Sequence, residues 1–229
     1  MSKKNTAATI ATIVVAVLAI ATTLFLLYQT SQQQIQDNQY NYVPSDEINE
    51  EMNMNAVTLI KNNCEVFRIF LQYGLPHQAE PYNNVPEDGY YTVKSDNYKT
   101  ISDIETLVNS TFVEKAAKRI LTNINGDNVA VYAEETDDDG NKGIGLDVSM
   151  VDENGRFKAI AYDYTWSNAK FTLHPKSNTE CDIIVELNPA EETSSAENAS
   201  SGSDDSNTKK VTANMLKVNG EWRLQKLVY

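Results

Sequence analysis

Ala7 to Tyr28 reads AATIATIVVAVLAIATTLFLLY, 22 residues without a charge, a proline or a glycine. At 1.5 Å rise per residue a helix of that length spans about 33 Å, the thickness of one bilayer core. Lys3 and Lys4 precede the stretch, and the next charged residue is Asp37. The positive-inside bias therefore places the start of the chain in the cytoplasm and everything after Tyr28 outside. An uncleaved, single-span membrane anchor is expected. The alternative is a signal peptide cut at Ala19-Ile20-Ala21, which leaves the apolar TTLFLLY at the head of the mature chain. The first cysteine is Cys64, far beyond the apolar run, so lipid attachment next to it is excluded.

Composition narrows the partners. Lys plus Arg number 19 against 32 Asp plus Glu, a net charge of −13. Such a chain is a poor ligand for nucleic acid or anionic lipid headgroups, both of which are bound through clustered cations. Two cysteines exclude a disulfide-dense scaffold and a four-cysteine zinc site, and two histidines exclude an all-histidine metal centre within one chain. No cofactor or metal is expected.

The expected organisation has three parts. Residues 1–28 carry the cytoplasmic lysines and the anchor. Residues 29–44 form a polar tether, since Thr30 to Tyr42 (TSQQQIQDNQYNY) has no helical stripe. Residues 45–229 form an extracytoplasmic α+β domain. Within it 189–208 (PAEETSSAENASSGSDDSNT) is expected to be a disordered acidic loop, because it has too little apolar surface to bury.

Ser45 before Asp46 and Glu47 is a helix start. Ile48, Met52, Ala56, Ile60, Cys64, Phe67 and Leu71 then recur at helical spacing until Gly74 and Pro76. A short strand is expected at Tyr91 and Val93. Two further helices follow, with capping pairs Ser102–Glu105 and Thr111–Glu114, the second ending at Asn125-Gly126. From Asn128 the period falls to two, with Val129, Val131 and Ala133 on one face. Asp139-Gly140, Glu153-Asn154-Gly155 and Asn219-Gly220 mark hairpin turns. Strands are expected at Ile144–Met150, Phe157–Trp166, Lys170–Leu173, Cys181–Leu187, Val211–Val218 and from Trp222 onward. Helices first and an antiparallel meander afterwards predict helices packed on one face of a curved sheet.

Few residues carry chemistry. Cys64 and Cys181 both sit on apolar stripes and read as core thiols, and an exported domain permits a disulfide between them. Glu135, Asp137, Asp139 and Gly140 match positions 1, 3, 5 and 6 of a calcium loop. Position 12 is Leu146, where a bidentate glutamate is needed, so a solvated acidic turn is expected. There is no G-x-S-x-G, no Gly-rich phosphate loop and no H-E-x-x-H, so the protein is expected not to be an enzyme. Tyr162, Tyr164 and Trp166 share one face of an expected strand. They are candidates for a ligand- or partner-facing surface, although rings at such spacing are more often the core under the helices.

Tyr90 to Asn123 reads YYTVKSDNYKTISDIETLVNSTFVEKAAKRILTN. An aromatic strand leads to a Tyr-x-Thr, a short Asp-Ile-Glu helix and a Thr-Phe-x-x-Lys-Ala-Ala helix. A Tyr-containing strand follows, and far downstream comes the terminal strand Gly220-Glu221-Trp222-Arg223-Leu224. The pattern, over residues 56–134 with 219–227 added, resembles the bacterial inhibitors of cell-wall DL-endopeptidases found in Gram-positive Firmicutes. The terminal strand is also similar to those of exported cystatin-like and nuclear transport factor 2-like domains. The resemblance implies a cystatin-like fold and an inhibitor that occludes a hydrolase groove with a loop, needing no catalytic residues of its own. The loops 75–91, with Tyr82, Tyr90 and Tyr91, and 136–142 would make the contact. The sequence also admits a cystatin-like envelope module that binds a ligand or another protein.

Overall fold

A computed structural model describes residues 42–77, 86, 89–126, 128–136, 140–190 and 208–229. Apart from Tyr42 and Val43, these belong to one unit that runs from Pro44 to Tyr229. The expected anchor over 7–28 lies outside the described residues, as do nearly all of the tether and the acidic stretch 191–207. Among the described residues no helix is long and apolar enough to cross a membrane.

Helix α1 (Asp46–Phe67) begins where the capping signal puts it. Ser45 adopts extended backbone and its Oγ accepts from the Ile48 N–H, while Asp46 and Glu47 set negative charge at the positive end of the helix dipole. Met52, Ala56, Ile60 and Phe67 of the expected stripe are buried, and Leu59, Asn63 and Val66 widen it. The helix then loosens into a π-helical turn, Arg68–Gln72, in which the Tyr73 N–H donates to the Arg68 carbonyl at 2.8 Å. Gly74 (φ +67°) ends it, and a Cβ there would lie 2.5 Å from Phe157 Cδ2, so only glycine lets the backbone pass the ring.

Strands β1 (Tyr90–Thr92), β2 (Tyr132–Thr136) and β3 (Lys142–Asp147) form a three-stranded antiparallel sheet in the order β1-β3-β2. Between β1 and β2 in the chain lie α2 (Ile101–Thr111) and α3 (Glu114–Asn123). Their starts differ from expectation. Helix α2 is capped by Thr100 and Asp103, not by Ser102 and Glu105: the Asp103 carboxylate accepts from the Thr100 and Lys99 amides at 2.8 Å each. Thr111 does not cap α3. It is the last residue of α2, and its hydroxyl donates back to the Leu107 carbonyl at 2.7 Å. The junction is held instead by buried Phe112 and by the Val113 N–H, which donates to the Leu224 carbonyl at 2.9 Å.

A second antiparallel sheet runs β4 (Tyr164–Ser177), β5 (Glu180–Pro189), β6 (Lys209–Val218) and β7 (Glu221–Leu224), in chain order. Cys181, Ile183, Val185 and Leu187 of β5 are fully buried, as their alternation predicts. Asn219 and Gly220, both at positive φ, make the expected two-residue turn. Helices with strongly curled antiparallel strands give an α+β fold. The strands form two sheets where one meander was expected, because residues 158–163 are not a strand. Phe157 makes a single bridge to Val151, and the Ile160 N–H donates to the Leu71 carbonyl at the end of the helix, which takes it out of any ladder. Tyr132 departs from the two-residue period as well: it is buried next to Val131, where Ala133 was expected to follow inward.

The core joins Met52 and Phe67 of α1 and Ile104 and Val108 of α2 to Ile183, Met215 and Trp222 of the second sheet. Glu51 pins the helix to the last hairpin, since its Oε1 accepts from the Trp222 indole N–H at 2.9 Å and from the Lys217 ammonium. The Lys217 hydrogen bond, aided by Trp222, holds this carboxyl below the ordinary glutamate range against some desolvation. A depressed folded-state value adds stability above the unfolded-chain pKa and loses it as pH falls through the folded one. Thermal unfolding should therefore drop as the medium is acidified through the carboxylate range, and Glu51→Gln should flatten that part of the profile. An unchanged slope in Glu51→Gln would show that this contact does not contribute.

Both cysteines are free thiols: Cys181 is buried and Cys64 half-buried, so the permitted disulfide is not formed.

Candidate functional site

The π-helical turn, the start of β4 and the end of β5 enclose a cleft of about 720 Å³. That is within the ordinary range for small-ligand sites, about 300–1,000 Å³. Three local features build it. The π turn carries Arg68 and Gln72 to one wall, and Tyr73 beyond them stands at 62% exposure. Single π turns recur at functional sites because they re-aim the side chains of a helix.

The second feature is a break in the β4–β5 ladder. Thr165 pairs with Asn188 and Lys170 with Glu186, so residues 166–169 stand opposite Leu187 alone. Asn168 takes φ +57°, and the Asn188 amide donates to the Ser167 carbonyl at 3.4 Å across the bulge. Extra residues on one strand bend it and re-aim its side chains. Here the bend puts Trp166, Ser167 and Asn168 into the cleft wall.

The third feature is an aromatic cluster. Phe67 packs on Tyr162 at 4.8 Å between ring centres and on Tyr229 at 5.3 Å, and Tyr162 meets Tyr164 edge-on at 6.0 Å. Lys209 Nζ sits 5.2 Å from the Tyr162 ring centre and 5.1 Å from that of Tyr164. Burial pushes the Tyr162 hydroxyl up to about 12, so it stays protonated at neutral pH.

Tyr162, Tyr164 and Trp166 thus come together at the cleft, each half-buried. Only Tyr164 and Trp166 do so from a strand, since Tyr162 precedes β4. All three also pack against the core while lining the cleft. The other sequence candidates do not gather. Tyr82 lies outside the described residues. Tyr91 is 8% exposed, with its ring 6.1 Å from that of His77. It is turned inward by the alternation of β1 and belongs to the core. Tyr90 is half-buried on the opposite face, close against Gly145.

A second cleft of about 720 Å³ shares Cys64, Arg68 and Trp166 with the first and is lined further along by Ile60, Tyr98 and Phe171. Glu65 accepts two hydrogen bonds from Arg68, at 2.9 and 2.8 Å, and one from the Tyr98 hydroxyl at 3.1 Å. The Arg68 fork holds the Glu65 carboxyl low against its desolvation.

The Cys64 thiol is raised by burial and by the neighbouring Glu65 charge, which keeps it in the unreactive protonated form. The His77 ring nitrogens lie 3.0 Å from the Leu75 carbonyl and 3.2 Å from that of Gly155. Among the described residues no group of three His, Cys, Asp or Glu is placed to hold a metal ion.

Arg68, Gln72 and Asn188 were invisible as site residues from sequence. Ser167-Asn168 was a legible signal, being a turn-prone pair that interrupts a strand pattern.

No family model matches the chain, and no curated protein matches it.

Proposed function

We propose that this chain is a membrane-anchored, extracytoplasmic binding module that acts by holding a ligand and not by catalysis. The observation that carries the reading is the cleft that gathers Tyr162, Tyr164 and Trp166 between the π turn and the β4 bulge. Two perturbations of regular structure meet at one concave, aromatic-lined place, where rigid elements position the side chains. The anchor rests on Ala7 to Tyr28, and the outward orientation on Lys3 and Lys4. A long helix against a curled antiparallel sheet supports kinship with cystatin-like domains.

The direct test follows the indole N–H resonances of the two tryptophans, Trp166 and Trp222. The full chain is titrated with panels of neutral oligosaccharides, acidic oligosaccharides and short peptides. At least one class should shift Trp166, with Trp222, buried against Glu51, left in place. A Trp166 resonance indifferent to every panel would contradict the reading.

The net charge of −13 supports a second reading, the cell-wall endopeptidase inhibitor that the resemblance implies, because an acidic domain is steered to a basic partner. On that reading, stoichiometric excess of the protein slows muropeptide release by such an endopeptidase, and the slowing fades as salt rises. Unslowed release at low salt rules it out.

A further inference from the structure

We infer that the cleft takes a neutral oligosaccharide, an assignment that rests on the binding-module reading and adds the chemistry of the ligand to it. Three observations point there.

The first is a pair of stranded donors. Among the described residues, the Tyr162 hydroxyl and the Trp166 indole N–H are buried and have no hydrogen-bond partner, and both residues line the cleft. An indole N–H only donates, so nothing but an acceptor satisfies it. Buried polar groups are almost always paired, and an unpaired one calls for a physical explanation, of which a partner from outside the protein is one. Both atoms lie just beneath the cleft surface, so a ligand meets them once the rings shift, and the indole then needs an acceptor oxygen from it.

The second is charge. This chain carries 32 acidic residues. Among the described residues, however, the cleft lining has no carboxylate and one formal cation, Arg68. That cation is already matched by Glu65 through two hydrogen bonds. Lys209 stands outside that lining, held over the Tyr162 and Tyr164 rings and donating to the Tyr229 carbonyl. The lining itself has no uncompensated charge and so fits a neutral ligand.

The third is the mixture of surfaces. Tyr73, largely exposed, and Tyr164 bring aromatic surface, and Gln72, Asn168 and Asn188 bring planar amides that donate and accept together. A pyranose ring matches both, with an apolar C–H face and hydroxyls that donate and accept around its rim. The shared Trp166 and Arg68 make the two clefts neighbours, giving room for several linked rings, with Lys61 and the Arg68-bound Glu65 confined to the second.

The test uses the full chain in a polyoxyethylene detergent, which has no sugar headgroup to compete. Three probes are compared by calorimetry and by the Trp166 indole resonance: a β-1,4-linked N-acetylglucosamine tetramer, an oligogalacturonate of equal length and an uncharged tetrapeptide. The neutral tetrasaccharide should bind and shift Trp166. Tyr162→Phe and Trp166→Phe, which keep a ring and delete one donor, should each weaken it about tenfold, the loss of one hydrogen bond. Binding of the galacturonate or the peptide in its place would overturn the ligand class while leaving the binding module standing. A Trp166 resonance that ignores all three probes would overturn both, and full affinity in both variants would overturn the role of the stranded donors.

Discussion

Asn63→Ala is expected to lower stability by about 2–5 kcal/mol, a large share of what a single domain normally has. Asn63 is fully buried, and its carboxamide clamps the chain's last segment in both senses. Its Nδ2 donates to the Val228 carbonyl at 2.8 Å, and its Oδ1 accepts from the Val228 N–H at 3.0 Å. Truncation strands a backbone donor and a backbone acceptor at a residue that is only 6% exposed, and it leaves a void besides. Denaturant titration reads the loss as a lower midpoint. Val228 also positions Tyr229, whose ring stacks on Phe67 and whose carbonyl accepts from Lys209. The variant should therefore disturb the aromatic cluster beneath the cleft, giving weaker ligand binding along with reduced stability. A midpoint unchanged within error would mean that the terminal segment is not held by this clamp.

Tyr132→Phe is expected to cost about 2–4 kcal/mol for the removal of one oxygen atom. That oxygen accepts from the Leu75 N–H at 2.8 Å and donates to the Ile69 carbonyl at 2.6 Å, and it is buried. It bridges the two ends of the π turn, where the ordinary helical ladder has lapsed and two main-chain groups would otherwise lack partners. Phenylalanine keeps the edge-on contact with Phe70, at 5.3 Å between ring centres, so the effect isolates the hydroxyl. Amide hydrogen exchange over 68–75 should accelerate more than exchange in β5 and β6, because the turn loosens before the sheet does. Uniform acceleration across the domain would show a global loss and no special role for the turn.

These two side chains also show how far the sequence could be read. The start of α1 was legible because Ser45, Asp46 and Glu47 act locally, through one hydrogen bond and the helix dipole. The alternation of β5 and the Asn219-Gly220 hairpin were legible for the same reason, since each is dictated by neighbours in the chain. Tyr132 was misread because a buried hydroxyl 57 residues from Leu75 leaves no periodic trace. Asn63 was passed over because a polar residue within an apolar stripe reads as an interruption until its partner at Val228 is seen. The strand expected through residues 158–163 failed when a tertiary hydrogen bond, Ile160 to Leu71, displaced the ladder. The aromatic trio was found in sequence by its spacing, whereas the cleft around it depends on a π turn and a strand bulge. Both of those are set by distant packing.

The most direct measurement of the central claim needs no ligand. Thermal unfolding of the full chain is compared with that of Tyr162→Phe, which keeps the ring against Phe67 and removes only the stranded hydroxyl. That hydroxyl has no partner within the protein and lies out of water's reach, so the variant should unfold about 2–4 °C higher. A variant that unfolds lower would show that the hydroxyl already has its partner within the protein, contradicting the account.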